Sequence, residues 1–217
     1  LLSLSKKIPQ AEEKTHSEFS HEGLEGFELK GKKIGIIGTG EIGQKAVKMA
    51  KGFEMDVIAY DPYEKKGLEE ELGFMYVKIE DLIEKSDIIS LHCPLTNENL
   101  HLLSEEEFDM MEETVVINTA RGGLINPEAL LTALKNDSVS YAGLDVLEME
   151  DEMRNLGNIS DKEEFCSGEY QANCELIERG DVIVTPHTAL NNKEAKERIY
   201  ETSIRNIEER PEENRVV

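Results

Sequence analysis

The feature that most constrains this chain is a rhythm of short, continuous apolar runs separated by helical stretches. Lys33–Gly38 (KIGIIG), Asp56–Tyr60 (DVIAY), Ile88–Cys93 (IISLHC), Thr114–Thr119 (TVVINT), Ala142–Val146 and Val182–Thr185 (VIVT) each read as a strand, with a short further strand at Met75–Lys78. Their apolar residues run on instead of alternating with polar ones, which marks strands buried on both faces. Helical segments fall between them, at Gly43–Gly52, Glu64–Leu72, Asp81–Lys85, Ser104–Met111 and Pro127–Asn136, and a long helix closes the chain at Asn192–Arg210. Strands alternating with helices are joined by right-handed crossovers, so the expected architecture is α/β, a doubly wound parallel sheet of the Rossmann type.

The first strand leads directly into Gly38-Thr39-Gly40-Glu41-Ile42-Gly43, a G-x-G-x-x-G turn that opens the first long helix. By itself the pattern is weak; after a buried strand and before a helix it is the dinucleotide-binding arrangement. Gly38 permits the tight turn, Gly40 lets the backbone approach a pyrophosphate, and Gly43 lets helix pack closely on strand. The helix N-terminus presents free N–H groups to the phosphates. Asp61 follows the second strand, where a carboxylate can accept hydrogen bonds from ribose hydroxyls and repel a 2′-phosphate. NAD is therefore expected over NADP, although Lys65 and Lys66 stand close by.

Composition narrows the partners. The 217 residues carry 24 basic and 46 acidic side chains, a formal net charge of −22. Such a chain repels polyanions, so neither nucleic acid nor an anionic membrane surface is an expected partner. No apolar stretch approaches the ~20 residues of a membrane-spanning helix. Cys93, Cys166 and Cys174 form no CxxC pair and no framework, which fits a reducing cytoplasm. The five scattered histidines give no metal-ligand spacing, and no metal is expected.

Three ionisable residues lie at or just past later strand ends. Arg121 follows TVVINT, Glu150 follows Ala142–Val146, and His187 follows VIVT in Thr185-Pro186-His187. The carboxyl ends of the strands border the ligand crevice of an open α/β sheet, so the three can converge. Arginine suits a substrate carboxylate and its neighbouring carbonyl. Histidine suits proton delivery to a developing alkoxide, and a carboxylate partner would orient it. Taken singly, each is as compatible with a structural role as with a chemical one.

The segment IIGTGEIGQKAVKMAKGFEMDVIAYD, followed in order by SLHCPLT, VINTARGGLIN, AGLDVLEME and VTPHTA, resembles the D-isomer-specific 2-hydroxyacid dehydrogenases over nearly the whole chain. That resemblance implies an NAD-dependent oxidoreductase moving a hydride between NADH and a small 2-oxo acid to give a D-2-hydroxy acid. It implies that Arg121 binds substrate, that His187 is the proton donor and that Glu150 is the paired acid. Glu150 is preferred to Glu148 because the family's acid stands five residues after the Asp matched here by Asp145. Cofactor contacts implied are Glu41 and Ile42 in the turn, Asp61 at the ribose, Cys93, Pro94 and Asn99 on the adenine side, and Thr119, Ala120, Arg121 and Asp145 around the nicotinamide.

Within the family, Thr185-Pro186-His187-Thr188-Ala189 followed by Glu194-Ala195 is similar to the D-lactate members, which points to pyruvate and D-lactate. Leu190 departs from them, since they often carry an aromatic residue there. Two alternatives stay open: an NAD-binding module without catalysis, and a D-3-phosphoglycerate dehydrogenase-like enzyme. The family has a second, smaller substrate domain, most of which precedes the helix with which this chain begins, and the chain has no initiator Met. The expected division is residues 1–30 as an inter-domain helix and polar linker, 31–187 as the NAD-binding domain, and 188–217 as a helix that would pack on the absent domain. The chain is then expected to bind NAD and to turn over slowly or not at all. A homodimer through the NAD-binding domain is expected, with Leu1, Leu2 and Leu4 suited to that contact.

Overall fold

The computed structural model describes residues 1–155 and 170–208. Each apolar run becomes a strand of one parallel sheet. Its strands are β1 (Lys33–Ile37), β2 (Asp56–Tyr60), β3 (Met75–Tyr76), β4 (Ile88–Leu91), β5 (Thr114–Asn118), β6 (Val139–Leu144) and β7 (Val182–Val184). They lie in the order β3-β2-β1-β4-β5-β6-β7, all neighbours parallel. The order reverses between β1 and β4. That reversal opens a crevice at their carboxyl ends, where Ile37 pairs with Leu91.

Helices cover both faces. On one, α1 (Leu2–Ser5), α3 (Glu41–Gly52) and α4 (Leu68–Leu72) cover Ile34, Ile36, Val57 and Ile88 with Leu4, Val47 and Leu68. On the other, α5 (Ile79–Lys85), α6 (Glu105–Asp109), α7 (Pro127–Lys135) and α9 (Gln171–Glu178) bring Leu82, Phe108, Leu130 and Leu176 onto Ile37, Ile89 and Val116. Near-complete burial of these apolar side chains is worth roughly 1.5–3 kcal/mol each. A second short helix, α2 (Ile8–Thr15), follows α1, and α8 (Glu150–Asn155) follows β6.

Several boundaries differ from the sequence reading. The helix with which the chain opens breaks in two because Lys7 takes a left-handed φ of 48°, and its second part, α2, runs to Thr15. Leu4 is only 3% exposed, packed where Gly143 leaves room beside Ile117, so it is not available to a partner subunit; Leu2, at 52%, is. Strand β6 begins at Val139, three residues before the expected Ala142, because Val139 is buried and pairs with Thr114. Helix α4 starts at Leu68, since Gly67 at φ 85° ends the preceding turn. Cys93 is a free thiol, but Cys174 is disulfide-bonded, which corrects the expectation that the cysteines form no framework. Cys166 and the final two residues of the helix read as Asn192–Arg210 lie outside the described residues.

The chain divides into two compact units, Leu1–Thr185 and a second beginning at Pro186. The second contains α10 (Lys193–Glu208), whose first turn is capped by the Asn192 side chain accepting from the Ala195 N–H at 2.8 Å. Ile199, Ile204 and Ile207 on α10 are 50%, 55% and 75% exposed. No helix among the described residues is long and apolar enough to cross a membrane.

Candidate functional site

The turn after β1 is shaped by steric necessity. Gly38 has φ +96°, and a Cβ there would stand 2.8 Å from the His92 carbonyl group and 2.9 Å from the Cys93 nitrogen. Only glycine lets β1 and β4 approach so closely at the crevice. A Cβ on Gly43 would overlap the Gly38 carbonyl oxygen, so α3 sits tight on the strand end. Gly40, the residue capping α3, differs: its φ is −63°, and a Cβ would meet nothing within 4 Å. It is glycine facing open space, and no side chain caps the helix start. Bare N–H groups beside a cleared approach fit the pyrophosphate of a dinucleotide. Glu41 and Ile42 are exposed in the first turn, with Ile42 61% exposed.

Asp61 lies just beyond β2 and reaches back into this turn. Its Oδ2 accepts from the Thr39 N–H at 2.7 Å and the Thr39 hydroxyl at 2.9 Å, while Oδ1 accepts from the Tyr63 N–H at 2.9 Å. The carboxylate is thereby fixed beside the glycine turn. Across the crevice, burial pushes the Cys93 thiol up to about 11 and the His92 imidazole down to about 4. Both groups are uncharged at neutral pH. Asn99 is spent on its own loop, accepting from the Thr96 N–H at 2.7 Å and donating to the Pro94 carbonyl at 2.8 Å. It therefore shapes the segment that carries Pro94.

The ends of β5 and β6 form a second group. The Asn118 side chain donates to the Arg121 carbonyl at 2.9 Å and accepts from the Ala120 N–H at 3.0 Å, curling Thr119-Ala120-Arg121 outward. Arg121 is exposed and donates to the Ala120 carbonyl at 2.6 Å. Asp145 is 5% exposed, and its Oδ1 accepts from the Thr185 hydroxyl at 2.6 Å. A cleft of about 150 Å³ lies here, lined by Leu1, Leu4, Thr119, Gly143, Asp145 and Thr185. Glu150 opens α8, its Oε2 accepting from the Leu147 N–H at 3.3 Å.

Glu148 is committed elsewhere: both its oxygens meet His101 Nε2, at 2.9 and 3.0 Å. The unit Leu1–Thr185 thus gathers the glycine turn, Asp61, Cys93, Thr119, Ala120, Arg121 and Asp145 along the carboxyl edge of one sheet, with Glu150 on the loop after β6. His187 belongs to the second unit, one residue past its start, with a left-handed φ of 53°.

Sequence reasoning missed Asn118, Thr39, Tyr76 and the His101–Glu148 pair. Asn118 carried a readable signal, as a polar residue closing an apolar strand. The others join positions far apart in the chain and carried none. Among the described residues there is no group of His, Cys, Asp and Glu able to hold a metal ion.

Comparison with known proteins agrees with the fold. Residues 1–189 match the family described as "D-isomer specific 2-hydroxyacid dehydrogenase, NAD binding domain". The chain is 38% identical over 209 residues to a D-lactate dehydrogenase of Escherichia coli (strain K12), covering 95% of this chain and 62% of that protein. It is 36% identical over 199 residues to a D-3-phosphoglycerate dehydrogenase of Methanocaldococcus jannaschii, covering 90% of this chain and 34% of the relative. It superposes with a TM-score of 0.82 at 32% identity on a D-lactate dehydrogenase from Aquifex aeolicus complexed with NAD and lactic acid, covering 95% of this chain and 62% of that one. The chain thus spans about three fifths of the D-lactate dehydrogenases it matches. It carries an NAD-binding domain, and it belongs to the D-isomer specific 2-hydroxyacid dehydrogenases.

Proposed function

We propose that the chain is the NAD-binding part of an oxidoreductase that interconverts a small 2-oxo acid and its D-2-hydroxy acid, with pyruvate and D-lactate as the pair. The observation that carries the reading is the turn after β1. Gly38 is forced left-handed, Gly40 faces open space before an uncapped helix, and the Asp61 carboxylate is fixed beside the turn, which supports reading it as the ribose partner. When bound, the nicotinamide supplies the hydride donor or acceptor.

The roles of the chain's own residues follow from their chemistry. Arg121, held outward by Asn118, offers a planar cation to the substrate carboxylate and carbonyl. His187 is assigned as the carrier of the proton that the developing alkoxide takes up, and Glu150 as the paired acid of the same step. Thr119, Ala120 and Asp145 border the nicotinamide end, and Cys93, Pro94 and the loop shaped by Asn99 border the adenine end. The proposed division is residues 1–30 as connecting segment, 31–187 as the NAD-binding domain and 188–217 as a helix for a separate substrate domain. The proposal includes a homodimer, for which the exposed Leu2 leaves an apolar contact, and a cytoplasmic setting. A sizing column would report the first. Alkylation of the protein in cells would report the second: a reactive Cys174 thiol supports the cytoplasmic setting, and a Cys174 that stays disulfide-bonded, as it is in the structure, argues against it.

The test is a fluorescence titration with NADH followed by addition of pyruvate. Saturable binding with oxidation of NADH supports the whole reading. Binding without oxidation leaves the cofactor domain standing and assigns turnover to the chain together with a substrate domain, because closure and carboxylate positioning supply much of the rate. No binding by the folded chain overturns it. Leu190, where the lactate enzymes often carry an aromatic residue, favours keeping one second reading, a D-3-phosphoglycerate dehydrogenase-like enzyme, and a panel of 2-oxo acids separates the two.

A further inference from the structure

We infer that Tyr76, on the short edge strand β3 and outside the glycine-rich turn, is a positioning residue that sets cofactor choice by locking the Asp61 carboxylate through Thr39. The inference rests on the reading of Asp61 as the ribose-facing acid.

The hydrogen bonds fix their own direction. An ionised carboxylate only accepts, and a threonine hydroxyl has one proton to give. Thr39 gives that proton to Asp61 Oδ2 at 2.9 Å, so across the 2.8 Å contact with the Tyr76 hydroxyl Thr39 is the acceptor and Tyr76 the donor. The Tyr76 oxygen in turn accepts from the Lys65 N–H at 3.3 Å. One chain therefore runs from Lys65 N–H through Tyr76 and Thr39 to Asp61, every proton pointing toward the negative charge. Bonds aligned in this way polarise and strengthen one another.

Each member is held from outside the chain. Thr39 is completely buried. The Tyr76 ring stands edge-on to buried Phe74, with centroids 4.9 Å apart, and its backbone N–H donates to Glu69 Oε1 at 2.7 Å. Three segments distant in sequence, the glycine turn, the loop after β2 and the β3 strand, thereby meet on one carboxylate.

The consequence is selectivity. An acid free to rotate can swing away from a ribose 2′-phosphate and leave it to Lys65 and Lys66 in the same loop. An acid held by the Thr39 and Tyr63 donors cannot, and must meet that phosphate with its charge. With Oδ2 accepting twice and Oδ1 once, a lone pair on Oδ1 is left for a ribose hydroxyl.

The experiment measures Kd for NADH and NADPH by cofactor fluorescence on the full chain and its variants. Tyr76→Phe removes only the hydroxyl; Thr39→Val removes the relay, and Thr39→Ser restores it. The expected result is that Tyr76→Phe and Thr39→Val each lower the ratio of Kd for NADPH to Kd for NADH by about tenfold, while Thr39→Ser keeps it near wild type. Circular dichroism checks folding, and Tyr76→Phe carries the test alone where Thr39→Val does not fold. Asp61→Ala separates the two ideas. A collapsed ratio in Asp61→Ala with an unchanged ratio in Tyr76→Phe overturns the Tyr76 inference alone. An unchanged ratio in Asp61→Ala overturns the ribose reading and the inference with it.

Discussion

Gly38 and Gly40 are two residues apart and are glycine for different physical reasons, so their alanine variants separate folding from cofactor binding. Gly38→Ala places a methyl group 2.8 Å from the His92 carbonyl at a φ of +96°, against backbone that cannot rotate out of the way. The expected cost is about 2–3 kcal/mol of stability, read by urea unfolding, together with loss of NADH binding. Gly40→Ala meets no atom within 4 Å at a φ of −63°, so stability should stay within about 0.5 kcal/mol of wild type. Its methyl group fills the path of the pyrophosphate, and NADH affinity should fall about tenfold or more. His92 supports a prediction with a pH sign. Burial holds its imidazole at about 4, against an ordinary value near 6.5. The folded state therefore binds fewer protons than the unfolded one between those values. Its contribution is fully present above pH 6.5 and is lost as pH falls toward 4, by up to about 3 kcal/mol. His92→Asn should flatten that part of the stability profile between pH 7.5 and 4.5. An unchanged slope would show that His92 is not the group responsible.

Between elements, the loops that carry the candidate chemistry are clasped together. Gly122 lies so close to the Leu147 carbonyl group that a Cβ would overlap it, and the His101–Glu148 pair joins the loop before α6 to the loop after β6. The pair is about one third exposed, so its direct electrostatic worth is modest. Glu148→Ala should cost about 1 kcal/mol in unfolding free energy. The sharper readout is amide exchange, expected to rise across 146–150 and to stay unchanged in β1 and β2; uniform exchange would mean that the clasp is incidental. Contacts of this kind explain what the sequence left unread. The strands were legible because Ile34–Ile37 and Val115–Ile117 are continuous apolar runs and Ile88–Leu91 is broken only by Ser90, and buried parallel strands need such runs. The start of β6 was not, because Ser140 and Tyr141 are half-buried and break the run. In the site, Gly38, Gly40, Gly43 and Asp61 form a local pattern whose geometry is its own signature. Tyr76 meets Thr39 across 37 positions, and Glu148 meets His101 across 47. Nothing in either residue's neighbours announces its partner, since a tyrosine on an edge strand and a histidine in a loop have many satisfactory fates. Lys7 illustrates the reverse: a local break in φ divided a helix whose apolar spacing looked continuous.

For the molecule as a whole, a net charge of −22 has to coexist with an anionic cofactor. The two fields act over different distances. Repulsion from the acidic surface is long-ranged and is felt throughout the approach, whereas attraction from the N–H groups opening α3 is confined to the last few ångströms. Salt discriminates between them. Raising ionic strength from 0.01 to 0.15 M shortens the screening length from about 30 Å to about 8 Å, which removes most of the approach penalty and leaves contacts at the turn nearly intact. The association rate of NADH should therefore rise with salt, by about threefold over that range, while the dissociation rate changes little. Stopped-flow fluorescence measures both. The sign is the informative part, because cofactor drawn in by a basic funnel shows the opposite trend. A rate that falls with salt would mean that Lys45, Lys48, Lys65 and Lys66, around α3 and the Asp61 loop, outweigh the rest of the surface at the mouth of the crevice. Charge reversal at Lys65 and Lys66 would then abolish the fall. A rising rate locates recognition in the turn itself, where Gly40 and the bare helix end hold the cofactor against the field of the remaining protein.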